Sequence, residues 1–323
     1  MHPPLILMAL TAVAAAAAAP AAAQTWPTKP VTVIVPFPAG GGTDAFARPL
    51  FAQLTKQLGQ QVIIDNRGGA GGNIGATMAA KTPPDGHTWF MGAVHHAIAP
   101  AVYPKLDYSL AQDFVPVALL ASVPQVIVVH PQRVPGKDLK DLLAQLGTKG
   151  SALNYGSAGN GTSHHLAGEL FKLQTHTPIG HVPYKGAGPA LQDLIGGQVD
   201  MMFDGLGSSA THIRSGRLKA LAVASPKRAA GFPDIPTTVE SGVPGYQVAT
   251  WYGLWAPKNT PPATVERMTQ ELKKALAAPE IQVAWTSLGA DTPSLYGAAF
   301  GAFVTSETKR WAEVVKAANV KLD

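Results

Sequence analysis

The 323-residue sequence contains no cysteine. This absence excludes disulfide bonds, thiolate chemistry and cysteine-bound zinc. It also excludes a lipid-modified cysteine at the start of a processed chain. Because the sequence also has no His-Glu-x-x-His motif, we expect neither a metal site nor a bound cofactor.

Long apolar runs and clusters of basic residues are also scarce. After residue 23 there is no run of eighteen or more apolar residues, so no later segment is predicted to cross a membrane. The 25 Lys and Arg residues outnumber the 20 Asp and Glu residues, but they are scattered. A scattered excess of five favours anionic partners and argues against nucleic-acid binding.

The chain opens with a Leu- and Ala-rich run, residues 5–23, which ends in three alanines before Gln24. Small residues at such a position are typical of a signal-peptidase cleavage site. We therefore predict that residues 1–23 are a signal peptide and that a soluble exported protein begins near Gln24. The alternative is an uncleaved anchor, for which nineteen mostly alanine residues make a marginal membrane span.

Strand and helix patterns alternate after the signal. Val31–Val35 is β-branched, Phe46, Leu50 and Leu54 follow at helical spacing within residues 44–58, and a second short strand is predicted over 62–64. This βαβ order predicts an α/β fold with a parallel sheet flanked by helices. The same patterns predict later helices over 74–81, 139–146, 164–173, 189–195 and 209–215, and strands over 88–91, 153–156, 181–184, 199–203 and 218–224.

Two apolar runs are candidates for strands that pass between domains. Residues 115–129 are too long for one buried strand of a single sheet, and residues 248–256 (VATWYGLWA) form a second long run. Two crossings predict a discontinuous domain 1, residues 24–123 plus 250–323, and a domain 2, residues 124–249. A helix capped by Thr260 is predicted to open the C-terminal part of domain 1.

Two glycine loops, PFPAGGGTD (36–44) and GSAGNGTSHHL (156–166), each follow a strand and precede a helix. Such loops lie at the carboxyl ends of strands, where α/β proteins bind ligands. The N–H groups at a helix N-terminus attract anions, and glycine lets a ligand approach them. The paired occurrence favours a clamp around an anion over two simple turns.

Two enzymatic interpretations remain as alternatives. Gly40, Gly42 and Ala45 satisfy the G-x-G-x-x-A pattern of dinucleotide-binding loops, although four residues separate this loop from the strand. Ser157 in YGSAG is one residue away from a nucleophile elbow, and a secreted serine hydrolase would pair it with His165, with Asp204 as the third member.

The histidine doublets 95–96 and 164–165 suggest a metal at first sight. Adjacent side chains diverge on both strands and helices, so a doublet rarely gives two ligands to one ion. We expect one member of each doublet to line the cleft and the other to pack.

Several long segments, in order, are similar to one family: WPTKPVTVIVPFPAGGGTD, RGGAGGNIGA, PPDGHTW, YGSAGNGTSHHLAGELF, HVPYKGAGPALQDLIGGQVDMMFD, FPDIPTTVESGVPGY and WYGLWAPKNTP. The chain resembles the periplasmic substrate-binding proteins of tripartite tricarboxylate transporters, the Bug family. The resemblance implies a two-domain type II periplasmic binding protein fold that closes on a small carboxylate, such as an amino acid, a di- or tricarboxylate or an aromatic acid. It also implies a monomeric, non-enzymatic periplasmic receptor whose partners are the integral membrane subunits of such a transporter or a sensor.

The resemblance also implies which residues bind the ligand. The expected set is Phe37, Ala39, Gly41, Gly42, Thr43 and Asp44 from the first loop, Ala158, Asn160, Gly161, Thr162, Ser163 and His165 from the second, His95 and His96 at the end of the third strand, and Tyr184, Lys185 and Asp204 at strand ends of domain 2. Asp44 would repel a bare carboxylate, so we expect it to bond water, an amino group or the amides of its own helix. Trp251, Tyr252 and Trp255 are expected to pack at the hinge.

Overall fold

The computed structural model describes residues 26–148 and 152–320. The predicted signal peptide lies outside this range. Among the described residues, no helix combines the length and the apolar character needed to span a membrane.

The described chain alternates strands with helices, as expected. The strands are β1 (Val31–Val35), β2 (Val62–Asn66), β3 (Thr88–Ala93), β4 (Phe114–Val129), β5 (Asn154–Ser157), β6 (Gly180–Pro183), β7 (Met201–Gly205), β8 (Lys219–Val223) and β9 (Ala249–Pro257). The helices are α1 (Gly42–Leu58), α2 (Asn73–Ala80), α3 (Val94–Val102), α4 (Leu110–Asp113), α5 (Leu139–Leu146), α6 (Ser163–Thr175), α7 (Ala187–Ile195), α8 (Leu206–Arg214), α9 (Pro262–Ala277), α10 (Pro279–Ser287) and α11 (Gly297–Ala317).

The strands form two five-stranded arrays that share β4. The first has the order β2-β1-β3-β9-β4, with β1 parallel to β2 and β3 and with β9 antiparallel to its neighbours. The second has the order β6-β5-β7-β4-β8, with β5 parallel to β6 and β7. We call the parts built on these arrays the first lobe and the second lobe. Both lobes therefore have the same strand arrangement.

Strand β4 connects the lobes because it is long enough to pair in both arrays. Residues Phe114–Pro124 pair with β9, whereas the segment from Gln125 to Val129 pairs with β7 and β8. The return crossing lies just before β9, where Val248 N donates to the carbonyl of Ala224 in the second lobe. Both predicted crossings are thus present, while the domain boundaries at 123/124 and 249/250 stay a prediction.

Helix α1 shows how local sequence produces these elements. Phe46, Leu50 and Leu54 are fully buried on one face, and the helix ends at Gly59, whose φ of 65° is the left-handed conformation that glycine adopts readily. Pro49 lies inside the helix.

The predicted cap of the first C-terminal helix was wrong. Helix α9 begins at Pro262 with Pro261 as its N-cap residue. Thr260 instead closes a turn, since both its N–H and its hydroxyl donate to the carbonyl of Pro257. The two prolines that follow have no N–H to offer a capping side chain.

Helix α11 is fixed to β9 by a buried carboxylate. Glu307 is only 8% exposed, and its Oε2 accepts hydrogen bonds from the indole N–H groups of Trp251 (2.9 Å) and Trp311 (3.2 Å). Arg310 donates to the other oxygen at 3.1 Å. One side chain therefore satisfies two buried indoles.

We predict that Glu307→Ala lowers the free energy of unfolding by about 2–4 kcal/mol, because two buried indole N–H groups lose their charged acceptor. Urea denaturation followed by tryptophan fluorescence measures this loss. Glu307→Gln keeps an acceptor oxygen and serves as the matched control with a smaller loss. Equal stability of Glu307→Ala and the wild type would show that the hydrogen bonds of Glu307 to Trp251 and Trp311 do not stabilise the fold.

Candidate functional site

The first glycine loop carries the chain from β1 into α1. Gly41 is the N-cap residue and no side chain caps the helix. Within residues 26–148 and 152–320, the N–H groups of Gly42, Thr43 and Asp44 donate to no protein acceptor. These three donors and the helix dipole leave a positive, buried helix end that faces the second lobe.

The charge of Asp44 at this helix end is balanced by Arg48. The guanidinium donates from Nε to Oδ2 at 2.7 Å and from Nη2 to Oδ1 at 2.9 Å. Asp44 Oδ2 also accepts the N–H of Gly40 at 3.1 Å. The carboxylate therefore holds the loop and the first turn together, and its repulsion of an anion at α1 is offset by a bidentate cation.

Glycine at position 42 allows a close approach by Tyr252. A Cβ added to Gly42 would lie 2.0 Å from the Tyr252 hydroxyl oxygen and 3.6 Å from Ser208 Oγ. Tyr252 was expected only to pack at the hinge, but its hydroxyl reaches the first loop. Burial raises the pKa of Tyr252, with the carboxylate of Asp204 adding to the effect, so the hydroxyl stays protonated and can donate.

The second glycine loop differs from the first because most of its backbone N–H groups already donate hydrogen bonds to acceptors within the protein. Gly159 N donates to Ser157 Oγ at 3.1 Å, and Gly161 N donates to His165 Nδ1 at 3.2 Å. Ser163 N, at the start of α6, donates to His95 Nδ1 at 3.0 Å. The two loops face each other, but only the first has a helix end without protein partners.

One member of each histidine doublet lies at the interface of the lobes, while the role of either in lining a cleft stays a prediction. His95 and His164 meet edge to face with ring centroids 5.6 Å apart, whereas His96 packs between Phe90 and Tyr108. His95 and His96 lie in the first turn of α3 rather than at the end of β3. Because His95 Nδ1 accepts a backbone N–H, the proton of its neutral ring is on Nε2.

His165, which was expected at the site, turns away from this interface. Its ring stacks on His181 at a centroid distance of 4.1 Å. Its neighbour His164 faces the interface instead, with Nε2 3.6 Å from Asp204 Oδ1. The sequence could not distinguish the two, since both follow the loop at the start of α6.

The floor between the lobes carries polar atoms that lack partners. Asp204 is fully buried; its Oδ2 accepts the hydroxyls of Ser208 and Ser209, both at 2.6 Å. Three buried polar atoms here find no hydrogen bond among the described residues: Asp204 Oδ1, His164 Nδ1 and Gln125 Oε1. Buried polar groups are almost always hydrogen-bonded, so these atoms need partners that the described residues do not supply.

Residues from the crossing strands complete this floor. Gln125 Nε2 donates to Ser163 Oγ and to Thr250 Oγ1, both at 3.3 Å. Gln125, Thr250, Ser208 and Ser209 were all absent from the expected set. A polar residue inside an otherwise apolar crossing strand is the signal that could have identified Gln125 and Thr250.

The other expected residues lie on the walls and at the mouth of the cleft. The ring of Phe37 meets His95 edge to face at 5.0 Å, and Thr162 caps α6 through its side chain. An open pocket of about 680 Å³ at the mouth is lined by residues that include Asn160, Tyr184 and Lys185. Most of the expected residues are buried, namely Phe37, Gly41, Gly42, Thr43, Asp44, His95, His96, Ala158, Gly161, Thr162, Ser163, His165 and Asp204, whereas Ala39, Asn160 and Lys185 are exposed.

The residues proposed for a serine hydrolase are not assembled. Ser157 is fully buried and its Oγ lies 2.7 Å from Nε2 of His181, so the pairing with His165 was wrong. Asp204 instead bonds Ser208 and Ser209.

A second cavity, of about 510 Å³, lies in the first lobe between α3, α4 and α11. Its lining is mainly apolar and includes Tyr108, Phe114 and Trp255. None of its lining residues carries a buried polar atom without a partner. The polar floor between the lobes is therefore the better candidate for specific binding.

Comparison with known proteins finds a matching family and several similar solved structures. The model of a family described as tripartite tricarboxylate transporter family receptor matches residues 46–320. The structure of the periplasmic binding protein BugD superimposes with a TM-score of 0.88 at 36% identity, covering 92% of this chain and 100% of BugD. An R. palustris protein with adipate gives 0.89 at 37% identity, covering 92% of this chain and 100% of that one. MatC from Rhodopseudomonas palustris with bound malate gives 0.84 at 38%, covering 90% and 100%.

We predict that acid destabilises the protein partly through His96. Burial lowers the pKa of His96 from its ordinary 6.5 to about 4, against the opposing effect of its bonds to Ala93 and Gly72. Between these values the unfolded chain takes up a proton that the folded chain does not, so stability present above pH 6.5 is lost as the pH falls towards 4. His96 accounts for a loss of about 3 kcal/mol.

Urea denaturation between pH 7.5 and pH 4 tests this dependence. His96→Asn retains a side-chain acceptor for Ala93 N but does not titrate, so its stability should fall less steeply than that of the wild type. His176→Asn, at an exposed position, is the control and should follow the wild type. Identical slopes for His96→Asn and the wild type would refute the assignment.

We predict that Gly42→Ala destabilises the protein by about 1–3 kcal/mol, because the new methyl group overlaps the Tyr252 hydroxyl. Gly41→Ala is the matched control, since its Cβ would lie 3.4 Å from the nearest atoms. Adding Tyr252→Phe to Gly42→Ala should recover part of the loss. Thermal unfolding of the wild type and the three variants measures these differences, and no recovery in the double variant would argue against the overlap as the cause.

Proposed function

The chain belongs to the tripartite tricarboxylate transporter receptor family, and from this premise we propose that it binds a small organic carboxylate between its two lobes for delivery to the membrane subunits of such a transporter. The proposal includes export to the periplasm through cleavage of residues 1–23 and action as a monomer. The observation that carries it is the positive N-terminus of α1, whose first three N–H groups donate to no acceptor in the part of the chain that the structure describes.

A carboxylate at this helix end would accept hydrogen bonds from Gly42, Thr43 and Asp44. Such donors are fixed by the backbone, so they need little reorganisation on binding. Charge-assisted hydrogen bonds in a desolvated site are stronger than those in water, which is how a site without a buried lysine or arginine could hold an anion. The relatives that hold adipate and malate support a carboxylate as the class of ligand.

Closure of the lobes would bury the ligand. Hinge bending at the two crossings, in β4 and before β9, is the motion that this connection favours. Gly188 of α7 lies against the first loop, where an added Cβ would lie 2.5 Å from the carbonyl oxygen of Ala39. Membrane subunits, or alternatively a sensor, would then recognise the closed shape and not the buried ligand.

The experiment that tests the proposal is a thermal-shift screen of small carboxylates followed by calorimetry. A ligand present at a hundred times its Kd should stabilise the protein by about 2.7 kcal/mol. The ligand should be recovered chemically unchanged. A library of mono-, di- and tricarboxylates that produces no binder would overturn the proposal, and turnover of a bound acid would replace it with an enzyme.

We predict that Gly188→Ala weakens carboxylate binding at least about tenfold while each lobe stays folded, because the methyl group obstructs the approach of the first loop. Gly147→Ala is the control, since the nearest described atoms to its added Cβ are carbonyl oxygens of α5 at 3.4 Å or more. Calorimetry measures the affinity, and small-angle scattering measures ligand-induced compaction. Full affinity and full compaction in Gly188→Ala would contradict the proposed closure.

A further inference from the structure

The hydroxyl group of Tyr252 lies between the N-termini of two helices, one in each lobe. A Cβ added to Gly42, the first residue of α1, would lie 2.0 Å from the hydroxyl oxygen. A Cβ added to Gly205, the N-cap residue of α8, would lie 3.4 Å from the same oxygen. Both helix ends therefore approach this hydroxyl, and glycine at each end places no side chain in the way.

Both helix ends are positive and have no capping side chain. Gly41 is the N-cap residue of α1, as Gly205 is of α8, and neither helix has a side-chain cap. The dipoles of these helices, of 17 and 9 residues, place partial positive charge at both ends. An anion that lies between the two ends is attracted by both lobes.

The Tyr252 hydroxyl donates to no acceptor in the part of the chain that the structure describes, although the residue is only 2% exposed. Its neighbour Ser208 directs its own proton to Asp204 Oδ2 at 2.6 Å or to the carbonyl of Gly205 at 2.9 Å. Asp204 does not accept the tyrosine proton, since Oδ2 is bonded by Ser208 and Ser209 and Oδ1 has no hydrogen bond. Buried hydroxyl groups are normally hydrogen-bonded, so this donor needs a partner from outside the described chain.

Packing fixes the ring that carries this hydroxyl. The ring of Tyr252 lies against Phe46 of α1 at a centroid distance of 4.9 Å, and Phe46 meets Trp285 edge to face at 5.1 Å. Tyr252 pairs with Ala93 of β3 and Ala121 of β4, so its backbone is held on both sides. A donor that is already fixed loses little conformational freedom when a ligand binds.

The second glycine loop is a weaker counterpart to the N-terminus of α1. The N–H groups of Gly159, Gly161 and Ser163 already donate to side chains of the protein. Thr162 also caps α6 through its hydroxyl, whereas α8 has no such cap. The N-terminus of α8 is therefore the better candidate for the part of the site that the second lobe provides.

We propose that the carboxylate of the ligand lies between the N-termini of α1 and α8 and accepts a hydrogen bond from the Tyr252 hydroxyl. The inference rests on the proposed function and specifies its site, because it adds a side-chain donor from β9 and assigns α8 as the contribution of the second lobe. A carboxylate held by both helix ends connects the lobes, so its binding favours closure.

Tyr252→Phe tests the hydroxyl, with Tyr246→Phe as the matched control. Tyr246 is fully buried in the second lobe, and its hydroxyl donates to the carbonyl of Ala167 at 3.0 Å. Tyr246→Phe should therefore lower the stability of the ligand-free protein and leave carboxylate affinity unchanged. Tyr252→Phe should show the opposite pattern: little change in stability, because no bond within the protein is lost, and binding weakened about tenfold or more.

Gly205→Ala tests the contribution of α8. The nearest atoms to its added Cβ lie 3.4 Å or more away, so the fold should tolerate the methyl group. The methyl group would nevertheless occupy space between the helix end and the Tyr252 hydroxyl, and binding should weaken about fivefold or more. Gly147→Ala, at the end of α5, is the control and should keep full affinity.

Calorimetry at pH 7.5 with succinate, malate, adipate and benzoate measures affinity, and urea unfolding without ligand measures stability. The comparison uses each acid, from these four or from the wider carboxylate library, that binds the wild type. Far-ultraviolet circular dichroism verifies that every variant is folded.

Different results overturn different claims. Wild-type affinity in Tyr252→Phe overturns the hydroxyl as a ligand donor and leaves the carboxylate receptor intact. A loss of stability in Tyr252→Phe as large as that in Tyr246→Phe assigns the hydroxyl a structural role and also overturns the inference. Full affinity in Gly205→Ala overturns the part assigned to α8. If no acid binds the wild type, the proposed function itself fails.

Discussion

The antiparallel pairing of β4 with β9 is the constraint on which the rest of the structure depends. Eleven residues of β4, Phe114–Pro124, lie beside β9, and the next residue already begins the pairing with β7 in the second lobe. Because β4 belongs to both arrays, the lobes cannot separate freely. The same geometry turns the carboxyl ends of the parallel strands in the two lobes towards each other, so the loops that follow those strands meet.

These loops meet at a cleft that is lined by helix N-termini and buried carboxylates. Arg48 balances Asp44 beside the N–H groups of α1, while the donors to Asp204 among the described residues are the hydroxyls of Ser208 and Ser209. His95 connects the two lobes, because it is carried by the first lobe and accepts a hydrogen bond from α6 of the second.

Sequence patterns predicted the elements well where the burial pattern was strong. The β-branched run Val31–Val35 is β1 as expected, and the long run 115–129 became the shared strand β4. Local patterns gave wrong predictions where contacts with other parts of the chain determine a side chain's role. Thr260 is a residue type that often caps helices, but its hydroxyl donates within a turn. Ser157 has the sequence context of a nucleophile, but it is buried against His181. Tyr252 was assigned to packing because its hydroxyl contact with the first loop involves residues far apart in the chain.

The sequence by itself determined the alternation of strands and helices, the two crossings and the two glycine loops, because hydrophobic periodicity and the conformational freedom of glycine act over a few neighbouring residues. Only the tertiary structure decided that the two loops are unequal. The bond from Ser163 to His95 spans 68 positions in the chain, and His164, whose Nε2 lies 3.6 Å from Asp204 Oδ1, comes from α6 and not from the strand that carries Asp204. Whether a buried donor or acceptor finds a hydrogen-bond partner depends on residues that are distant in the chain, so the sequence alone cannot predict it.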